Sequence, residues 1–540
     1  MGTPLAKNAL SRRRFLTTGA GVGTVLAVPG LLGAPDKNAA AATGENNMDM
    51  DMSGHDAPDA IGVRSVPFTE GAPLAEPEVR RSAGGELRTT LRLQYAYKDV
   101  GGYRLFMRTY EGTIPGPTLR LRRGDILRIR LVNDLPPNRD PMPANIDQPH
   151  HLNTTNLHLH GSHVSPSGIA DNVMRSMEPG QSDDIEIAIP ADHTAGTYWY
   201  HPHHHGGADV QVASGMAGAV IIEGDFDSVP EIAAARERLM ILGEVVFDGF
   251  GTIESLDTLF PETAVRFLTL NGQRGPTIAM RPGEVQRWRL LHAGYQDDIF
   301  LALQGHRFHP IARDGIALAR MDQTEIRTAD HAKDDPTAIV IAPGQRIDLL
   351  VQAGAPGTYE LRALPYDQGY PSPHGLVARV VVAGEPLLMK LPDKLPPSPL
   401  ATIRDEEITG RRRLTFSSKA PEAADSEHWQ EYKFQIDGRN FDMNRVDQRV
   451  RLGAVEEWTI INLHIHDHIF HIHTNPFQLT KVNGEALAEP VWSDTVVLPR
   501  NGSLTFRSRF LDFTGRFMLH CHMMNHEELG MMQVVEVYKP

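Results

Sequence analysis

A single cysteine occurs in the 540 residues, and a histidine stands on each side of it: His520-Cys521-His522, with His526 and Met531 close behind. One thiolate, one imidazole and one thioether, joined by a second imidazole from elsewhere, form the ligand set of a blue-copper electron-transfer site. If 517–522 runs as a β-strand, His520 and His522 face one way and Cys521 the other. A copper ion on Cys521 then lies back to back with metal ions held by its two neighbours. The plainer alternative is a buried cysteine acting as a small hydrophobe. Five potential ligands crowded into one segment argue against it.

Three further pairs repeat the His-x-His spacing: His158 with His160, His201 with His203, and His471 with His473, the last preceded by His468. On a strand each pair presents two imidazoles on one face. One such pair is weak evidence, since a strand rim can carry two exposed histidines. Four pairs supply eight nitrogen donors, more than the four protein ligands of a zinc site, and suit three copper ions with room for a small ligand.

The elements that must position these residues recur along the chain. Gly116-Pro117-Thr118, then Gly124-Asp125 and an alternating strand over 126–133, returns as Gly275-Pro276-Thr277, Gly283-Glu284 and a strand over 285–291. A blurred third copy covers 445–453 and 455–462. A second element repeats in phase: 196–203, 357–364 and 515–522 each begin at a glycine. At the fifth and seventh positions after it the first copy has His201 and His203, the third has His520 and His522, and the second has Arg362 and Leu364. The expected fold is therefore all-β, three Greek-key β-sandwich domains at 87–226, 227–385 and 426–540, with 386–425 a linker. The metal site is expected between the first and third domains, the second acting as a spacer.

Hydrophobic residues at 41% and charged residues at 22% are ordinary for a globular chain. A net charge of −14 without a long basic run argues against nucleic acid as a partner. Arg12-Arg13-Arg14, an apolar run to about Gly33 and Ala39-Ala40-Ala41-Ala42 read as a bacterial twin-arginine signal over 1–42. The expected partner during export is then the twin-arginine machinery. The expected location is the periplasm, cell surface or exterior, with no stable membrane insertion once the signal is removed. Residues 43–86 read as a flexible linker, in which the methionines and acids of Met48 to His55 offer weak copper capture.

Taken together, these four motifs resemble a three-domain multicopper oxidase of the laccase type, over roughly residues 87–540. The resemblance implies cupredoxin-like sandwiches and four copper ions, with one-electron oxidation of a small-molecule donor coupled to reduction of O2 to water. It places the type 1 copper on Cys521, His468 and His526 with Met531 axial, and the type 2 copper on His158 and His471. The type 3 pair falls to His160, His201, His203, His473, His520 and His522. It makes His468 the place where the donor docks. Glu527 is similar to the family's acid between the copper sites, and Asp171 to the acid beside the type 2 copper. The segment 492–496 is also similar to one between the last two motifs. Ile469 stands where relatives often have proline, and no long Met-rich insertion interrupts the third domain. The expected donors are phenols and related aromatics, with a cuprous, ferrous or manganous ion as the alternative, and a monomer is expected. A copper-free binding protein of the same fold is the reading from another class.

Overall fold

The computed structural model describes residues 62–255, 259, 265–321, 337–370, 372–419 and 432–540. The twin-arginine segment and Met48 to His55 lie outside the described residues. Among those described, no helix is long and apolar enough to cross a membrane.

Each domain is a pair of sheets facing one another across an apolar core. In the first domain one sheet runs Arg64–Ser65, Tyr103–Tyr110, Glu86–Val100, Ile126–Asn133, Ser182–Ala188 in spatial order, and the other Val79–Arg81, Thr118–Arg122, Gly218–Glu223, Gly196–His201, His158–His160. The third domain repeats the plan with Lys433–Ile436, Gly410–Lys419, Ala454–Asn462, Ser503–Phe510, Phe477–Val482, Glu485–Ser493 opposite Val446–Arg451, Met532–Tyr538, Gly515–Cys521, His468–Ile472, Thr495–Leu498. The second follows suit, with Gly357–Leu364 between Gly375–Val382 and Ile299–Leu303. Non-consecutive neighbours and mixed parallel and antiparallel pairing fit the Greek-key connectivity expected. Alternation sets the faces: in Ile126–Asn133, Leu127, Ile129 and Leu131 are buried while Arg130 points to solvent.

Two segments read as linkers are sheet. Gly410–Lys419 pairs in parallel with Ala454–Asn462, as Glu86–Val100 does with Ile126–Asn133 and Arg236–Phe247 with Val285–His292. It is the opening strand of the third domain. Its run of three arginines hides the alternation, because Arg412 is taken up by Glu456 at 2.6 Å and lies over the Trp458 ring. Likewise Val79–Arg81 pairs with Thr118–Arg122, and Leu74 is buried in the core of the second domain. This stretch ties the first two domains together.

Candidate metal centre

The strand Gly515–Cys521 is central in its sheet, with Phe470 opposite Cys521 and His471 opposite His520. Alternation then divides the ligands. Cys521 Sγ lies 3.5 Å from His468 Nδ1 and 3.6 Å from His526 Nδ1, and these two nitrogens are 3.1 Å apart. His526 rides on the short helix Met524–Glu528, whose start is held by a hydrogen bond from Met524 N–H to the Tyr295 carbonyl of the second domain. Met531 is wholly buried and locked between two of these residues: its carbonyl accepts from Cys521 N–H and its N–H donates to the His526 carbonyl, both at 3.0 Å. Phe434 stacks on His526 with ring centroids 4.0 Å apart.

On the other face the first and third domains interleave their histidines. His158 stacks on His473 and His160 on His471, each with centroids 3.9 Å apart. His203 Nε2 is 3.1 Å from His520 Nε2, and His160 Nδ1 is 3.1 Å from His522 Nε2. Two nitrogens each about 2.0 Å from one ion have this separation. The groups His158–His160–His201, His158–His471–His473 and His203–His473–His520 each bring three ring nitrogens within 4.8 Å of one another, as does the set His468–Cys521–His526 for its ligand atoms. All eight histidines are buried.

Most of the remaining ring nitrogens are held by the protein, which fixes which nitrogen faces inward; His522 Nδ1 is buried without a partner. His158 Nδ1 is 3.1 Å from Asp171 Oδ2, His201 Nδ1 bonds the Pro202 carbonyl and His471 Nδ1 the Asp494 carbonyl. His520 Nδ1 lies 2.9 Å from Glu527 Oε2, and His203 Nδ1 3.4 Å from Glu527 Oε1. Nε2 of His158, His201, His468, His471 and His473 is buried without a partner. A buried polar atom left unpaired costs about 1–3 kcal/mol, so the four of His158, His201, His471 and His473 in the histidine assembly fit metal ions, whereas His468 Nε2 lies on the side of its ring away from Cys521. Burial, followed by the neighbouring imidazoles, pushes His158, His160, His471, His473 and His522 well below the usual histidine range, which leaves neutral donors. Burial also lifts the Cys521 thiol to about 12. It stays protonated unless a cation displaces the proton, as thiol-bound metals do.

The two acids differ. Burial raises Asp171 to about 8, against a hydrogen bond from Leu159 N–H. Burial acts upward on Glu527 as well, but the histidines at its oxygens, His520 and then His203, outweigh it and hold the carboxyl at about 2.

Eleven of the twelve residues expected as ligands have their side chains in these two assemblies, and Met531 is held beside the first by its backbone. Sequence reasoning named Asp171, Glu527 and the segment 492–496, but missed how the second domain braces that segment against the histidines. Asp494 lies 3.3 Å from His160 Nε2 and is clasped by Arg346 of the second domain through two hydrogen bonds of 2.8 and 2.6 Å, all three side chains buried. Thr495 Oγ1 is 3.0 Å from His160 Nε2. Gly344, at φ +87°, lets the backbone pass so close that a Cβ would be 3.0 Å from His160 and 3.1 Å from His522. The second domain is therefore more than a spacer. The available signal was Arg346 itself, a lone cation in the apolar run 338–351.

Three family models described as multicopper oxidase match residues 145–226, 242–382 and 413–540. The chain belongs to the multicopper oxidase family. This multicopper oxidase is 25% identical over 512 residues to "Multicopper oxidase mco" of Staphylococcus epidermidis, covering 91% of this chain and 98% of that protein. It is 23% identical over 506 residues to a laccase of Bacillus stratosphericus, covering 82% and 92%. A solved structure described as a metallo-oxidase, the multicopper oxidase of Campylobacter jejuni, superposes with a TM-score of 0.71 at 25% identity, covering 89% of this chain and 98% of that one. The sandwiches are accordingly cupredoxin-like, and copper is the family's cofactor.

Proposed function

We propose that this multicopper oxidase couples four one-electron oxidations of a small phenolic or related aromatic donor to reduction of O2 to water, as laccases do, with four copper ions. His468, Cys521, His526 and Met531 would hold the type 1 ion; His158 and His471 would hold the type 2; His160, His201 and His522, and His203, His473 and His520, would hold the type 3 pair. When bound, copper supplies the one-electron redox steps and the place where oxygen is reduced. The observation that carries this reading is the position of Cys521: its thiol belongs to one assembly while the residues on either side of it belong to the other. The peptide itself is thus a short bridge between donor side and oxygen side.

Glu527 and Asp171 serve the oxygen side, with environments that drive their affinities for protons apart. Glu527 passes protons toward the His203–His520 pair, and Asp171, whose proton affinity burial raises, stands beside His158. On the donor side His468 is wholly buried, so a donor cannot touch it directly. It docks on the surface above and delivers its electron through the intervening side chains. The complete ligand set opposes a copper-free binding role. Export by the twin-arginine route and a monomeric state complete the proposal.

The test is a visible absorption spectrum of the copper-loaded protein with oxygen uptake driven by a phenol and, in parallel, by cuprous ion. An intense blue band with phenol-driven uptake is expected. A colourless protein without uptake overturns the reading. A metal-ion donor is a second reading, favoured by two imidazoles that roof His468.

A further inference from the structure

Behind Glu527 lies a group of carboxyls that the reading so far leaves idle. Asp209, on the short helix Ala208–Ala213 of the first domain, and Glu527 and Glu528, on Met524–Glu528 of the third, are all wholly buried. The two helices pack together beside the histidine assembly. The three carboxyls stand close enough for their charges to act on one another. On the far side of Glu528, His205 lies 3.4 Å from it and 3.4 Å from Asp147, whose side chain reaches the surface.

Hydrogen bonds sort the three acids. Glu528 accepts from Gly206 N–H and, at 2.8 Å, from Ala208 N–H, an arrangement that suits a carboxylate. Glu527 lies between His203 Nδ1 and His520 Nδ1. Asp209 accepts at Oδ1 from the neighbouring Val210 N–H at 2.6 Å, while its Oδ2 is buried with no partner among the described residues. The cation whose charge reaches it, Arg108, is spent elsewhere: its guanidinium donates to Asn153 Oδ1, the Ile253 carbonyl and Glu254 Oε2, each at 2.8 Å. Tyr295, also within reach of its charge, gives its hydroxyl proton to the Leu259 carbonyl, and burial keeps that hydroxyl neutral. A buried carboxyl oxygen without a donor favours the protonated acid. Burial, with Glu527 adding to it, accordingly lifts Asp209 to about 7. Burial lifts Glu528 as well, but its two N–H donors favour its charged form and Asp209 has only one such aid.

We propose that Asp209 holds a proton in reserve for the oxygen side and surrenders it toward Glu527 as electrons arrive there. The proposal rests on the proton delivery assigned to Glu527 in the preceding subsection. Asp209 touches neither donor nor oxygen, and acts through Glu527. Each electron reaching the oxygen side adds one negative charge, and one proton moving from Asp209 toward the His203–His520 pair cancels it. Asp209 is left as a carboxylate until solvent returns the proton. No bond between heavy atoms forms or breaks in this step, and the proton that Asp209 loses is one of the four that O2 requires.

Infrared spectra of the copper-loaded parent, Asp209→Asn and Glu528→Gln, recorded in H2O and D2O across neutral pH, test the reserve. The parent should show a carboxylic C=O stretch that shifts in D2O and fades as pH rises through about 7. Asp209→Asn should lose this band and Glu528→Gln keep it. In stopped flow, reoxidation of the reduced protein by O2 should slow by up to about 10²-fold in Asp209→Asn, the low end for a positioned acid, with copper content and the blue band kept. The parent's rate should fall as pH rises through the same range while the variant's profile is flat there, a change that loss of packing alone does not produce. A band that survives in Asp209→Asn overturns the reserve, and so does a rate and pH profile equal to the parent's. Glu527→Gln in the same series separates the two readings. If its reoxidation matches the parent's, delivery by Glu527 fails, and the Asp209 band and pH profile then decide the reserve alone.

Discussion

Two strands occupy the same place in their domains and do different work. Gly357–Leu364 lies between Gly375–Val382 and Ile299–Leu303; Gly515–Cys521 lies between Met532–Tyr538 and His468–Ile472. In the second domain the two positions aligned with His520 and His522 hold Arg362, which is exposed and paired with Glu360, and half-buried Leu364. In the third they hold imidazoles closed off by the first domain. The sandwich supplies the scaffold in both cases; the chemistry comes from residue types at two positions and from a second domain sealing that edge. The second domain contributes from the side, through Arg346, Gly344 and Tyr295.

This contrast can be broken at several points. The largest effect is expected on the oxygen side. Glu527→Gln should keep the blue absorption and slow oxygen reduction by about 10²–10⁴-fold, the usual worth of a positioned acid or base. Unchanged turnover in stopped-flow reoxidation removes Glu527 from proton delivery. Next is the second domain's contribution. Arg346→Leu leaves Asp494 buried beside His160 without its cation, and breaking such a pair costs about 3–5 kcal/mol. Thermal unfolding should show a marked fall in Tm together with weaker copper retention by the histidine assembly. A Tm equal to the parent's would mean that the second domain is a spacer after all.

Smaller effects sharpen the difference between the two faces of the third-domain strand. Met531→Leu should raise the reduction potential of the blue centre and leave the histidine assembly unaltered. A redox titration with no shift takes Met531 out of the axial position. Smallest is the clamp between the first and third domains. His163 Nε2 is 2.9 Å from Asp512 and its Nδ1 2.7 Å from the Thr474 carbonyl, so both nitrogens face acceptors and the imidazolium fits best. Burial opposes its charge, but the Asp512 partner prevails and raises its pKa. Because the folded value is the higher one, the stabilisation is complete below about pH 6.5 and is lost as pH rises through the raised folded value. A Tm series across that range should fall for the parent and flatten for His163→Gln.

The residues proposed as ligands were legible as a cluster because they sit at or just beyond strand ends, where a two-residue spacing maps onto one face. The fold class followed from the same repeats. The supports of the site were not legible for a physical reason. Asp494, Arg346 and Gly344 come together from separate domains, and nothing local in 342–346 announces that Gly344 will pack against His160 while the Arg346 guanidinium reaches Asp494 beside it. His464 and His466 share the spacing of the proposed ligands but lie in a bend, so alternation does not say where they point. The start of the third domain was hidden by Arg411-Arg412-Arg413, whose charges are absorbed by acids such as Glu456 and Glu457 on the neighbouring strand.

The central claim is that Cys521 joins two distinct copper assemblies. The most direct measurement is the copper content and visible spectrum of the loaded parent beside Cys521→Ser. The account predicts four ions and an intense blue band in the parent, and in the variant the loss of the blue band and of one ion with the other three retained. A parent without the blue band, or a variant that keeps both its colour and its full copper content, would contradict it.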